Sequence, residues 1–291
     1  MKGPVLITGG AGSVGRRVTA RLRQEGFAVR VFDLPGMNYA GLDGEEGIEV
    51  VRGDLTRADS VEQAVKGAHA VLHLAALLPP ASERRREITF AVNVEGTRRL
   101  AKALKRLSPG AMLVFSSSVS TYGDTTGVKP PVTIDSPQQA LDIYAGSKIA
   151  AEKCLKESYP EAVILRISGI SVPAIQSPPE VWPFMADQRI EFVHRDDVVA
   201  ALCAAVKTEG AKGRVFIIAG GASWCTTGRA YVKDYFDLLG VPIEEARFLE
   251  RPGWCDWYDT GESQKVLGYQ NTTYQAYLDQ LRAEVEKMTQ G

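Results

Sequence analysis

The stretch Val5-Leu6-Ile7-Thr8-Gly9-Gly10-Ala11-Gly12-Ser13-Val14-Gly15 decides how the rest of the chain is read. An apolar run of strand length, Val5–Thr8, enters a loop with glycines at 9, 12 and 15, and a helical pattern over Val14–Glu25 follows. Gly9 permits the tight strand-to-helix turn, Gly12 lets a pyrophosphate approach the backbone, and Gly15 allows close helix–sheet packing. The phosphates would sit on the N–H groups of Ser13 and Val14, at the positive end of the helix. A glycine triplet alone is only a tight turn; the strand before it and the helix after it make it a dinucleotide cradle.

Strands and helices alternate outward from this loop. Apolar or β-rich runs at Ala28–Phe32, Ile48–Val51, Ala70–Leu74, Ala111–Ser116, Ala162–Ile167 and Val215–Ala219 predict strands. Helical patterns fall at Arg57–Lys66, Glu83–Leu107, Tyr144–Ser158, Asp196–Lys207 and Thr273–Met288. Such alternation predicts an α/β fold, a doubly wound parallel (Rossmann) sheet buried on both faces. The rhythm fails in the proline-bearing Ser168–Gln188 and again after Gly220, which predicts a small C-terminal substrate lobe. The expected division is 1–170 with 192–220 for the nucleotide domain, and 171–191 with 221–291 for the lobe.

Composition narrows the function classes. The chain has 291 residues, enough for a core without staples. Lys+Arg 34 against Asp+Glu 35 gives a net charge of -1, so no broad basic field is expected for nucleic acid or an anionic membrane. The cysteines form no C-x-x-C pair and the histidines lack zinc spacing, so no metal is expected. Val5–Ile7 is too short for a signal core, which points to the cytoplasm.

Two further sites carry chemistry. Asp33 ends the second strand about 20 residues past the glycines, where an acid accepts from ribose hydroxyls and repels a 2′-phosphate, favouring NAD over NADP. Arg16, Arg17 and Arg30 argue the other way. Asp54, in Gly53-Asp54-Leu55, is placed either to meet the adenine edge or to cap a helix. Tyr144 and Lys148 stand at i and i+4 on one helix face. A nearby ammonium stabilises a phenolate, so the pair can exchange a proton with a substrate hydroxyl. Ser116-Ser117-Ser118 emerges from the carboxyl end of the fifth strand, where ligands of such sheets bind.

Together the motifs resemble the extended short-chain dehydrogenases/reductases of the NAD-dependent epimerase/dehydratase family. They are Thr8–Gly15, Gly53-Asp54-Leu55, His73-Leu74-Ala75-Ala76, Val92–Thr97, Ser116–Ser118, Tyr144–Lys148, Phe192–Asp197 and Ser263–Tyr269. The resemblance implies catalytic Ser118, Tyr144 and Lys148, with Lys148 also holding the ribose. It places Leu55, Leu74, Ala75, Ala76, Asn93, Ser116 and Ile167 along the NAD site. Asn93 would begin a helix packed on the catalytic one, and two long helices would pair across a homodimer. The implied activity is hydride transfer between a secondary alcohol or carbonyl substrate and nicotinamide. A nucleotide-sugar epimerase or dehydratase that retains NAD is the alternative, and a non-catalytic NAD sensor a third.

The segment from Arg166 to Phe192 is short for a family that binds nucleotide sugars, which predicts a monosaccharide-sized substrate. Its expected readers are Leu77, Leu78, Ser118, Ser168 and the stretch Trp254–Tyr258, which fits a pocket wall or ordinary packing. Glu83-Arg84-Arg85-Arg86-Glu87 reads as a solvated helix start, or as a clamp for a substrate anion. Cys225 and Cys255 lack a base partner and are read as structural.

Overall fold

A computed structural model describes residues 3–290; Met1 and Lys2 of the expected nucleotide domain and Gly291 of the expected lobe lie outside the described residues. The strands β1 (Val5–Thr8), β2 (Val29–Asp33), β3 (Ile48–Arg52), β4 (Ala70–His73), β5 (Met112–Ser118), β6 (Val163–Ile167) and β10 (Val215–Ile218) form one parallel sheet. Its order is β10-β6-β5-β4-β1-β2-β3. The chain steps outward from β1 to β3, then crosses back to β4, so the winding reverses between β1 and β4. In sheets of this kind ligands bind outside the strand ends at such a reversal.

Alternation along the strands feeds two cores. Val5, Ile7 and Val114 pack on one face with Val18 and Leu22 of α1 (Ser13–Gln24) and Val198 and Leu202 of α6 (Arg195–Ala205). Leu6, Leu113 and Phe115 pack on the other face with Val61 of α2 (Ala58–Val65), Leu100 and Leu104 of α4 (Thr97–Leu107) and Leu155 of α5 (Ile143–Ser158). Burying each such side chain contributes roughly 1.5–3 kcal/mol.

The long helix expected over Glu83–Leu107 is broken. A short 3₁₀ turn, Ala81–Glu83, comes first, and Arg85 is extended at φ -146°. Helix α3 (Arg86–Phe90) then passes through a π-helical turn, Ala91–Gly96, into α4. The break is held by the buried Thr89 hydroxyl, which donates to the Ser82 carbonyl at 2.7 Å and the Arg85 carbonyl at 3.0 Å.

After β6 come β7 (Ile170–Ser171), β8 (Arg189–Glu191), β9 (Val193–His194) and β11 (Cys225–Thr227), in two small ribbons, β7–β9 and β8–β11. Around them an aromatic core gathers Trp182, Phe184, Trp224, Tyr231 and Tyr277. It rests on α7 (Gly228–Leu239) and α9 (Tyr274–Gln290), while α8 (Gly261–Leu267) packs under the sheet. Helices α7 and α8 interrupt the region the sequence left without rhythm. No helix among the described residues is long and apolar enough to cross a membrane.

Candidate active site

Parallel register brings the carboxyl ends of β1, β4, β5 and β6 to one edge: Thr8 lies beside His73, and Ser118 beside Ile167. A cleft of ≈ 360 Å³ opens there, bordered by Gly12, Leu78, Ser118, Tyr144, Ile167 and Trp254. Gly9, Ser13, Val14, Gly15, Leu74 and Ser116 also face it.

The glycine loop fits a dinucleotide. Gly9 sits at φ +73°, and a Cβ there would lie 2.8 Å from the Ala75 nitrogen. A Cβ on Gly15 would lie 2.3 Å from the Gly9 carbonyl oxygen. Gly12 caps α1 without a side chain, so the first N–H groups of the helix stay open to an anion. Asp33 at the end of β2 accepts from the Ala11 nitrogen at 3.1 Å and the Leu34 nitrogen at 2.9 Å, which holds its carboxylate against the loop. The three arginines that argued for a 2′-phosphate are engaged elsewhere. Arg16 donates to the carbonyls of Ala11, Asn38 and Ala40. Arg17 pairs with Asp196 at 3.2 Å, and Arg30 with Glu49 at 2.7 Å.

A directional chain of hydrogen bonds ties this loop to α5. The Ala75 N–H donates to Thr8 Oγ1 at 3.3 Å, and Thr8 Oγ1 meets His73 Nδ1 at 2.7 Å. Thr97 Oγ1 donates to the Asn93 carbonyl at 2.6 Å, so it must accept from His73 Nε2, 2.9 Å away. That fixes His73 as the Nε2–H tautomer, with Thr8 donating to Nδ1. Burial lowers His73 to about 3, with the Lys148 charge adding to the effect, so the ring stays neutral. Asn93, in the π turn, accepts from the Leu77 nitrogen at 2.7 Å and donates to Ser147 at 2.9 Å. Ser147 in turn donates to the carbonyl of Tyr144 at 2.7 Å. Asn93 therefore braces the loop through Leu77 against α5, its side chain filled by protein partners.

Tyr144 and Lys148 project from α5. Asp142 caps the helix by accepting from the Ala145 nitrogen at 2.7 Å. Glu83, sixty residues upstream, accepts from the backbone nitrogens of Ile143 at 2.9 Å and Tyr144 at 3.1 Å. Lys148 is buried, donates to the Ser116 carbonyl at 2.7 Å, and lies 5.6 Å from the centre of the Tyr144 ring. Its other N–H donors have no partner among the described residues, which suits ribose hydroxyls. Burial pulls Lys148 down from 10.5 to about 7, against the Glu152 carboxylate, which holds it up. Burial pushes the Tyr144 phenol well above 10, Asp142 adds to this, and the nearby Ser118 hydroxyl opposes it. The sequence expected the ammonium to draw the phenol down; in this structure burial wins. Ser118 also accepts from the Ser120 nitrogen at 3.1 Å, which orients its hydroxyl at the end of β5.

Other expected residues fall into two groups. Leu78, Ser168 and Trp254 line the cleft, though Ser168 donates its hydroxyl to the Glu191 carbonyl at 2.5 Å. Asp54 accepts from the Thr56 nitrogen at 2.8 Å in the turn before α2, and Leu55 is buried beneath Gly96. Asp256 is buried against Arg189 at 2.5 Å. Burial raises the Cys255 thiol, and Cys225 donates to Glu191 at 3.6 Å. Missed in the sequence were Glu83 as a brace for α5, the cleft walls Ile170, Val198 and Leu202, and the buried Glu152. Glu152 continues the Tyr144, Lys148 spacing by another four residues, the signal that could have found it.

The family model described as "NAD dependent epimerase/dehydratase family" matches residues 5–179. The 3-beta-hydroxysteroid dehydrogenase of Mycolicibacterium neoaurum is 31% identical over 157 residues, covering 52% of this chain and 42% of that protein. The D-erythronate dehydrogenase of Cupriavidus necator is 31% identical over 187 residues, covering 58% of this chain and 55% of that protein. The matches thus span about half or less of these relatives' length. A short-chain dehydrogenase/reductase superfamily protein from Agrobacterium tumefaciens, solved with bound NAD, superposes with a TM-score of 0.79 at 26% identity, covering 98% of each chain.

Proposed function

The chain belongs to the NAD dependent epimerase/dehydratase family, the extended short-chain dehydrogenases/reductases, and from that premise we propose that it interconverts a secondary alcohol and a carbonyl through Ser118, Tyr144 and Lys148. The observation that carries this reading is the meeting of Ser118 and Tyr144 in the cleft that the glycine cradle opens into. The Tyr144 phenol gives its proton to the carbonyl oxygen in reduction; in oxidation its phenolate, formed beside the Lys148 charge, takes the proton of the substrate hydroxyl. Ser118 donates a hydrogen bond to that oxygen and keeps it beside the phenol. Lys148, with unspent donors, holds the ribose and offsets the charge left on Tyr144. NAD, when bound, supplies the hydride acceptor or donor. Asp33 selects it over NADP, with the Gly9–Gly15 loop on the pyrophosphate and Asp54 towards the adenine.

The cleft walls Leu78, Ile170 and Trp254, beside the Ser118 and Tyr144 hydroxyls, suit a compact substrate with one apolar face. The D-erythronate dehydrogenase likeness supports a sugar acid or similar secondary alcohol. The homodimer belongs to the same reading. The outer face of α5 presents half-buried Gly146, Ile149 and Ala150, an apolar strip on which a second helix would pack.

The test is net NADH formation by the purified protein with a panel of sugar acids, free sugars and secondary alcohols. NADH accumulation with a compact alcohol is expected. Turnover of UDP-sugars without net NADH, together with stabilisation by UDP alone, would replace this reading with the epimerase one.

A further inference from the structure

Beneath Tyr144 and Lys148, the same face of α5 carries a third ionisable residue, Glu152, almost without solvent exposure. Residues four apart on a helix have Cβ atoms about 5–6 Å apart, so Glu152 is the next group below the lysine. Its carboxylate is fully engaged. Arg166 on β6 holds it from Nη2 at 2.8 Å and Nε at 3.1 Å, Ser117 donates at 2.5 Å, and Gln138 donates at 3.1 Å. Arg166 is held from its far side by the Tyr122 hydroxyl at 2.8 Å and the Ile134 carbonyl at 3.0 Å.

We propose that Glu152, clamped by Arg166, is a positioning residue that sets the charge state of Lys148 and thereby the pH at which the Tyr144–Lys148 pair works. Its significance for catalysis rests on the function proposed above. The argument is one of charge in a dry interior. Lys148, Glu152 and Arg166 are all buried, so with Lys148 protonated they form two cations and one anion with little water to screen them. Arg166 and Glu152 offset each other, and Lys148 carries the surplus.

Among the described residues no other charge facing Lys148 competes. On β5 it meets the Ser116 carbonyl and, 4.7 Å away, the Phe115 ring. On β4, His73 is neutral. In the π turn, Asn93 is uncharged, and Glu95 is half-exposed and paired with Arg98. On α5 itself, Tyr144 is neutral and Asp142 lies at the helix start. Glu152 is thus the anion placed to hold the lysine's proton, consistent with the carboxylate opposing burial at Lys148. The length of the pair matters too: Arg166 draws the Glu152 charge toward β6 and weakens its hold on Lys148. Removing the acid and removing the arginine must therefore act in opposite directions.

The experiment follows the Lys148 side chain by NMR in protein labelled with [ε-¹³C]lysine, its signal assigned by Lys148→Arg, alongside the pH profile of kcat/KM. Glu152→Gln is expected to lower the Lys148 midpoint by about one to two pH units, and Arg166→Gln to raise it by about one. The acidic limb of the pH profile moves with it. Breaking a buried pair threatens the fold, so Ser117→Ala and Gln138→Leu are measured as well. Each removes one neutral donor from Glu152, keeps both charges, and is expected to raise the midpoint by a few tenths of a unit. Shifts of the same sign in Glu152→Gln and Arg166→Gln, or no shift in folded variants, overturn the proposal. If those two do not fold, unmoved midpoints in Ser117→Ala and Gln138→Leu overturn it. The NMR midpoint needs no turnover, so opposite shifts in a protein lacking alcohol oxidation would sustain this inference while sinking the proposed function.

Discussion

Lys148→Met is expected to make the protein more stable while abolishing its chemistry. The folded chain carries this lysine at about 7 instead of 10.5. At about 1.4 kcal/mol per unit, holding the charge inside costs roughly 5 kcal/mol at pH 6. Methionine fills similar space without that charge, but leaves the Ser116 carbonyl without its donor, a loss of about 1–3 kcal/mol. The net gain at pH 6 is about 2–4 kcal/mol. Its pH dependence has a definite sign. Between about pH 7 and 10.5 the folded wild type binds fewer protons at this site than the unfolded chain, so wild-type stability rises with pH there. The advantage of the methionine is therefore largest below pH 7 and shrinks by about 2–3 kcal/mol from pH 6 to pH 9. Urea unfolding of both proteins at the two pH values measures it, with contributions of other titrating groups largely cancelling in the difference. Equal stability at pH 6, or a difference that does not change with pH, would refute the claim that the site stores a buried, reluctantly charged lysine.

The combined Asp33→Ala, Leu34→Arg variant is expected to shift the NADP-to-NAD ratio of kcat/KM at least about tenfold toward NADP, since it removes the acid and adds a phosphate partner. Tighter binding of NADPH than NADH by the wild type would contradict that assignment. Glu83→Ala uncaps the backbone nitrogens of Ile143 and Tyr144, and is expected to cost about 1 kcal/mol and to lower kcat several-fold with the NAD dissociation constant unchanged. Thermal melts and single-substrate kinetics decide it; unchanged kcat would show that the brace does not position Tyr144.

The glycine loop and the strand rhythm were legible because their information is local: three glycines in a turn, apolar runs of strand length, and helix-length spacers. The site's edge followed from the order of the segments, since parallel strands put Gly9, Leu74 and Ser118 at the same end. Less legible was anything that depends on a partner far away in sequence. Glu83 sits among arginines and reads as solvated, yet it turns to cap a helix sixty residues later. The π turn at Ala91–Gly96 stays hidden inside an unbroken helical pattern, because hydrophobic spacing tolerates one inserted residue. Glu152 looks like one more charge on a helix until Arg166 of β6 meets it. Helix α7 escaped for another reason: its buried Tyr231 and Tyr235 join Tyr277 of α9 in an aromatic core, and aromatics spread through loops mask helical spacing.

The central claim is that Tyr144 moves the substrate proton, and Tyr144→Phe tests it most directly. Phenylalanine keeps the ring against Lys148 and removes only the hydroxyl that meets Ser118. With a compact secondary alcohol that supports NADH formation in the wild type, kcat should fall by about 10²–10⁴-fold. The NAD dissociation constant, set by the glycine loop and Asp33, should stay within about twofold, since only the hydroxyl is lost. Turnover close to the wild-type rate in a folded, NAD-binding Tyr144→Phe protein would contradict the account.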